Sequence, residues 1–308
     1  MSSIAVLAHA AKTLDGGLPH LRRTLADYGF ADPPWVEVMK AKKIPAQARR
    51  LRDEGADLVF VWGGDGTVQR ALDALAGSGV QVAILPAGTA NLFASNLGIP
   101  KDLEEAVRVG LHGARRTIDL GKTNGEHFGV MAGAGLDAFM IRDSEASGLK
   151  DRIGSLAYVF SGGKNLSRDP VRMRIEVDGK PWFNDPAACV LIGNVGDVVG
   201  GISAFPDASP TDGILDIGVI TADSGLDWIR TLTRSVVSEP AKSPFIQTTT
   251  GTSFDIRMKQ PLPYEIDGSE RGTTKHLKTK VKAQAITICV PETETTCVRR
   301  TRFPRPGS

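Results

Sequence analysis

The spacing of apolar positions changes along this chain, and the change divides it in two. Residues 4–8, 58–62 and 81–85 are short apolar runs, too short for helices and rich in strand formers. Each leads through a loop into apolar residues at helical spacing: Leu18, Leu21, Leu25 and Tyr28 after the first, Val68, Ala71, Leu72 and Leu75 after the second, residues 92–97 after the third. Val36 and Val38 mark a further brief strand, followed by a helix that Pro45 opens. Asp102 and Glu105 form a capping box for a helix ending at His112. Repeated strand–loop–helix units predict a parallel sheet, whose loops leave one carboxyl edge where such sheets bind ligands. From Val171 the spacing becomes two. Val171, Met173, Ile175 and Val177 alternate with charged residues, and Asp178-Gly179 signals a hairpin. Strand-like runs follow at 188–192, 215–220, 254–258 and 281–290, with one helical stretch on Leu226, Ile229, Thr233 and Val236. The prediction is an α/β domain with a parallel sheet over 1–120, an antiparallel β-sandwich domain over 121–296, and a tail over 297–308.

The chemistry concentrates in two of the loops. Gly63-Gly64-Asp65-Gly66-Thr67 lies where a strand turns into a helix. Glycine admits positive φ and close approach of a ligand, and the free N–H groups of the helix start face an anion. Asp65 adds a carboxylate, which suits metal–phosphate chemistry. Alone, the pentapeptide serves equally as a tight turn with Asp65 as helix N-cap. The second loop, Pro86-Ala87-Gly88-Thr89-Ala90-Asn91, tips the reading. It leaves the same predicted sheet edge, and Gly88, Thr89 and Asn91 supply backbone, a hydroxyl and an amide.

Composition narrows the class. At 308 residues the chain has room for two domains, and 41% hydrophobic and 23% charged residues are ordinary globular values. A net charge of +2 gives no overall nucleic-acid footprint. The three cysteines, Cys189, Cys289 and Cys297, form no CxxC pair and read as reduced thiols, and the five histidines lack metal-ligand spacing. There is neither a signal-peptide pattern at the N-terminus nor a run long and apolar enough to span a bilayer. The expectation is a cytoplasmic protein.

GGDGT followed by PxGTxN, with a strand and helix between, resembles the diacylglycerol kinase catalytic-domain family, which includes sphingosine kinases. The GGDG core alone is shared with NAD kinases and resembles the phosphofructokinase loop; Asn91, Phe93 and Ala94 match the lipid-kinase version better. The resemblance runs from the first strand to Val290. It implies an NAD kinase/phosphofructokinase-like first domain, ATP and Mg²⁺ as cofactors, and a membrane lipid met at the bilayer surface as acceptor, with peripheral contact at the inner membrane face. A soluble acceptor such as NAD, or nucleotide or lipid binding without catalysis, are the alternative functions. Oligomeric state is open, a homodimer included.

Family residues carry over by position. Gly63, Gly64, Gly66, Thr67, Gly88, Thr89 and Asn91 would hold the nucleotide, and Asp65 would serve catalysis and metal. Asp119, in Thr117-Ile118-Asp119-Leu120, corresponds to an aspartate of the acidic active-site cluster. Asp212, within Pro206-Asp207-Ala208 and Asp212-Gly213-Ile214-Leu215-Asp216, is the candidate ligand for a structural magnesium; a turn before a strand accounts for it equally. The segment from Leu149 to Tyr158 also resembles the family, with an apolar face that is core or lipid groove. Three departures stand out. Leu92 replaces the aspartate that usually follows Asn91. Lys12, Thr13 and two glycines replace an Asn-Pro nucleotide loop, making Lys12 a phosphate contact or a solvated lysine. Ser269 is inserted into Asp-Gly-Glu, so either Glu270 reaches the cleft through a longer loop or Asp267 does its work. Two basic clusters, Lys40, Lys42 and Lys43, and the arginines of the tail, are solvated or contact phosphate and anionic lipid respectively.

Overall fold

The computed structural model describes residues 3–135, 170–199, 202–221 and 246–292. The segment 149–158, the helical stretch 226–236, Cys297 and the basic tail lie outside the described residues. In the first domain, β1 (Ile4–His9), β2 (Trp35–Val38), β3 (Leu58–Gly63) and β4 (Gln81–Pro86) alternate with helices α1 (Gly17–Asp27), α2 (Ile44–Asp53), α3 (Asp65–Leu75), α4 (Leu92–Asn96) and α5 (Leu103–His112). The strands are parallel in the order β4-β3-β1-β2. Their continuous apolar runs are sorted by the strand period onto two faces. Val59 and Val61 point into one core with α2 and α3 residues such as Leu51, Leu72 and Leu75; Leu58, Phe60 and Trp62 point into another with Leu21, Leu25 and Leu103. A strand apolar at every position is what a sheet covered on both faces requires. Asp102 accepts from the Glu105 N–H at 2.9 Å, so the acid half of the expected capping box forms.

The second domain is antiparallel. Its strands are β5 (Ala114–Thr123), β6 (Glu126–Phe128), β7 (Met131–Ala134), β8 (Val171–Val177), β9 (Lys180–Ala187), β10 (Cys189–Gly193), β11 (Asp197–Val199), β12 (Ile202–Ser203), β13 (Leu215–Ile220), β14 (Ile246–Gly251), β15 (Ser253–Ile266) and β16 (Ser269–Val290). β15 changes partner midway. Residues 254–258 pair with β8, and 264–266 pair with β7, with a register break between that passes Pro261 and Pro263. One strand thereby serves two layers, and Met173, Ile175, Ile192, Ile217, Phe254 and Ile256 fill the core between them. Asp178-Gly179, both at positive φ, closes the expected β8–β9 hairpin.

β16 joins the domains. Its early part pairs with β15; its end, Thr287 and Ile288, runs parallel to β4 inside the first sheet. The expected division at residue 120 therefore falls within β5, which pairs with β16 along both halves. Between Lys282 and Ile286 the register slips, and Gln284 takes a positive φ of 50°. That bulge lies opposite Asp119.

Candidate active site

The two glycine loops touch at the carboxyl edge of the parallel sheet. Gly63 ends β3, Gly64 precedes α3, and a Cβ added at Gly88 would stand 2.4 Å from the Gly64 Cα. A Cβ added at Gly64 would stand 3.1 Å from the Gly88 Cα, so glycine at both positions lets the loops meet backbone to backbone. The Thr67 and Val68 N–H groups bond back to the Gly64 carbonyl, at 2.8 and 3.1 Å. Asn91, at φ 51°, is buried and its amide is spent on its own loop: Oδ1 accepts from the Gly88 N–H at 2.9 Å, while Nδ2 donates to the Pro86 and Gly88 carbonyls at 3.2 and 2.7 Å. The sequence placed Asn91 and Gly88 on the nucleotide; the structure makes Asn91 the staple that shapes the loop and spends the Gly88 N–H on it. Thr89 remains exposed beside them.

Asp65 links the loops. Gly64, not Asp65, is the N-cap of α3; the Asp65 Oδ1 accepts from the Phe93 N–H at 3.3 Å, at the start of α4. Burial raises its pKa, and the N–H groups of Phe93, Leu92 and Asn91 pull the other way. The N-cap alternative thus has the right chemistry and the wrong helix. Leu92, where the family has an acid, packs half-buried against the first core. Lys12 lies nearby in the first loop, and its carbonyl accepts the Trp62 indole N–H at 3.0 Å.

The β15–β16 hairpin closes on these loops, and here the placement differs from expectation. Asp267 and Gly268, at φ 44° and 71°, form a two-residue turn that pairs Ile266 with Ser269. The turn itself holds no extra residue; the register slips just beyond it, where Glu265 faces Glu270 but Pro263 faces Thr273, so one extra residue of β16 is taken up between them. Ser269 faces the first glycine loop: a Cβ added at Gly66 would lie 3.3 Å from its Oγ. Alternation turns Glu270 away, and it is exposed. Asp267 is buried, and its carboxylate accepts the N–H groups of Gly129, Val130 and Met131 at 2.8, 2.9 and 2.9 Å. It pins the crossing between domains. Burial raises its pKa to about 6 against those three donors, and the Asp65 charge adds to the rise.

Asp119 is likewise a joint. Buried in β5, it accepts from the Gln284 N–H of the β16 bulge and the Gly213 N–H, both at 2.7 Å. Its place is mid-strand, with both carboxylate oxygens taken by backbone donors of the second domain. Asp212 is exposed and bonds the Ile214 N–H two residues on at 3.1 Å, an Asx turn before β13. Its charge, with that of Asp207, reinforces burial in raising Asp216 to about 6. Among the described residues no group of three Asp, Glu, His or Cys side chains is disposed to hold a metal ion.

One group escaped the sequence reading. Glu265, two residues before Asp267, is 1% exposed and neither carboxylate oxygen has a hydrogen-bond partner. Burial and the neighbouring Asp267 raise its pKa to about 7. An acid between Tyr264 and Ile266 in a strand alternating in and out gave a weak signal, because the opposite Glu270 is exposed.

Two glycine loops on a parallel sheet, an acid between them and an antiparallel domain closing above define a two-domain phosphotransferase fold. The family models agree: residues 13–123 match the diacylglycerol kinase catalytic domain, and residues 130–290 match the YegS C-terminal NAD kinase beta sandwich-like domain. The chain belongs to the diacylglycerol kinase catalytic-domain family, whose members are kinases acting on alcohol groups. A diacylglycerol kinase of Bacillus subtilis (strain 168) is 31% identical over 220 residues, 70% of this chain and 72% of that one. The fold is that of a diacylglycerol kinase crystal structure from Bacillus anthracis, with TM-score 0.73 and 21% identity over 94% of this chain and 97% of the other. An NAD kinase from Archaeoglobus fulgidus in complex with ATP shares it more distantly, with TM-score 0.55 and 9% identity over 94% of each chain.

Proposed function

We propose that this protein is an ATP-dependent lipid kinase that moves the γ-phosphoryl group to the hydroxyl of diacylglycerol or a related lipid. The observation that carries the reading is the contact of Gly64 with Gly88 beside Asp65, which gives one cleft both a backbone surface for phosphates and a carboxylate. The start of α3 would orient the phosphates through its free N–H groups, and Thr67 and Thr89 flank them. Of the acids considered from sequence, Asp119 and Asp267 are occupied by backbone donors and Glu270 faces away. Asp65 accepts the Phe93 N–H at 3.3 Å, a long bond, and is the acid left to meet a phosphate-bound ion or the acceptor's hydroxyl proton. One carboxylate plus phosphate oxygens is an ordinary Mg²⁺ donor set, so Asp65 fits that ion. When bound, the ion would offset charge on the β- and γ-oxygens. Asp65 itself is held in place by the Phe93 N–H and by partial burial, which excludes competing water.

No helix among the described residues is long and apolar enough to cross a membrane, which accords with a lipid acceptor met at the bilayer surface. The test is ATP turnover on a panel of lipids, diacylglycerols first, beside a soluble panel containing NAD. Transfer to a lipid hydroxyl is expected. Preference for a soluble acceptor would overturn the lipid assignment, and ATP binding without turnover on either panel would leave a nucleotide-binding protein.

A further inference from the structure

Two arginines border the glycine loop on the side facing the hairpin. Arg70, one turn into α3, donates from Nη1 to the Gly66 carbonyl at 2.7 Å. A Cβ at Gly66 would meet that Nη1 at 3.2 Å and the Ser269 Oγ at 3.3 Å, so guanidinium and hydroxyl border the same bare Cα. Arg271, two residues past Ser269, is 12% exposed and fully tied: Nε to Glu126 at 2.9 Å, Nη1 to the Ser269 carbonyl at 3.0 Å and Nη2 to the Gln69 Oε1 at 3.2 Å. Glu126 is the acid that offsets the pair, and it is bonded to Arg271 and 42% exposed. Among the described residues no carboxylate lies within ion-pair distance of Arg70. Burial and the neighbouring Arg271 both disfavour its charge, yet guanidinium stays protonated at any relevant pH. Glu126 in turn favours that charge, so among the described residues two guanidinium groups at the cleft share one neighbouring carboxylate.

We propose that Arg70, buttressed by Arg271, receives the oxygens of a phosphate group at the hairpin side of the cleft. This rests on the kinase reading and deepens it. Bidentate capture of phosphate is the chemistry guanidinium serves best. The phosphate has two sources: the terminal phosphate of the nucleotide, or a phosphate on the headgroup of the acceptor lipid. Arg70 stands on the Gly66 side of the loop, away from the Gly64–Gly88 contact, where the second domain presents Ser269.

The experiment is binding to the full chain, with Arg70→Gln and Arg70→Lys beside wild type. One arm compares ATP with ADP; the other compares short-chain phosphatidic acid with the matched diacylglycerol. A terminal-phosphate contact is expected to weaken ATP by about tenfold in Arg70→Gln while ADP is unmoved, the worth of one charge-assisted hydrogen bond. A headgroup contact shows the same loss for phosphatidic acid alone. Arg70→Lys should recover part of either loss, since it keeps the charge and not the fork. Without ligand, Arg70→Gln should melt no lower than wild type, because a like-charge contact is relieved. Unchanged binding in both arms, or equal weakening of ATP and ADP with no lipid effect, would overturn the assignment. Failure of wild type to bind ATP at all would count against the kinase reading, a separate outcome.

Discussion

The glycine loops and the β15–β16 hairpin face each other across the cleft, and they relate to their sequences differently. In the loops the work is done by backbone, and the residue types announce it: Gly64 and Gly88 are where they are because a Cβ would strike the other loop. In the hairpin the work is done by side chains, and which one faces the cleft depends on the parity of a single position. A two-residue turn at Asp267 and Gly268 gives the cleft Ser269 and gives solvent Glu270. Asp65 and Asp267 sharpen the contrast. One accepts the Phe93 N–H in a long bond of 3.3 Å between the loops; the other accepts three backbone donors at 2.8–2.9 Å and serves as a rivet.

The largest expected effect follows from that rivet. Asp267→Ala leaves three buried N–H groups without an acceptor, and should cost about 3 kcal/mol or more. Denaturant unfolding measures it. A cost below about 1 kcal/mol would mean that water or a shifted backbone replaces the carboxylate, and Asp267 would return as a candidate for chemistry.

Asp65→Asn comes next and inverts the pattern. It keeps the side-chain size and the acceptor for the Phe93 N–H while removing the charge. Phosphoryl transfer should fall about 100-fold or more, as for loss of an acid–base group, with the melting temperature near that of wild type. Near-normal turnover would reduce Asp65 to a cap for α4.

The first domain was legible because its signals are redundant. Strand runs, helix spacing, Pro45, Asp102 and the glycines all point to the same architecture, and the faces sort themselves by alternation. The antiparallel domain was legible in its strands and in the Asp178-Gly179 turn. The length of β16 was not: its stretch from Thr273 to Lys280 is polar at most positions, since the strand crosses between domains with little apolar cover. The roles of Asn91 and Asp119 were hidden for a different reason. Their partners are backbone groups, those of Asp119 far off in sequence, at Gly213 and on the bulge at Gln284. No residue type marks a bulge of that kind.

Glu265 offers a comparison with Asp267 inside one strand. Both are buried acids, but Glu265 has no donors to hold its charge. Its pKa rises from 4.5 to about 7, so between those values the folded protein holds a proton that the unfolded chain has released. Stability therefore falls as pH rises through that window, by on the order of 3 kcal/mol at about 1.36 kcal/mol per unit, and the loss is complete above it. Glu265→Gln removes the titration. The difference in unfolding free energy between variant and wild type should shift in favour of the variant from pH 4.5 to pH 8. A difference that stays flat with pH would mean that the carboxylate finds a partner when ionised.

The smallest expected effect is the most pointed, because it tests the register that separates hairpin from loops. Ile266 pairs with Ser269 and Glu265 with Glu270, and the extra residue of β16 falls only beyond that pair, before Thr273, so Glu270 does not share the face on which Ser269 meets Gly66. A slip of one residue would reverse both assignments, since neighbours on a strand point to opposite faces. Glu270→Ala should then behave as an ordinary exposed substitution, within about 0.5 kcal/mol in stability, with turnover of the lipid acceptor unchanged. Were Glu270 the group that takes the hydroxyl proton, the same variant would lose about 100-fold in turnover with little change in ATP affinity, because the contact would be made chiefly in the transition state. Those outcomes are far enough apart that one variant decides whether the extra serine moved a carboxylate out of the cleft or only lengthened its path.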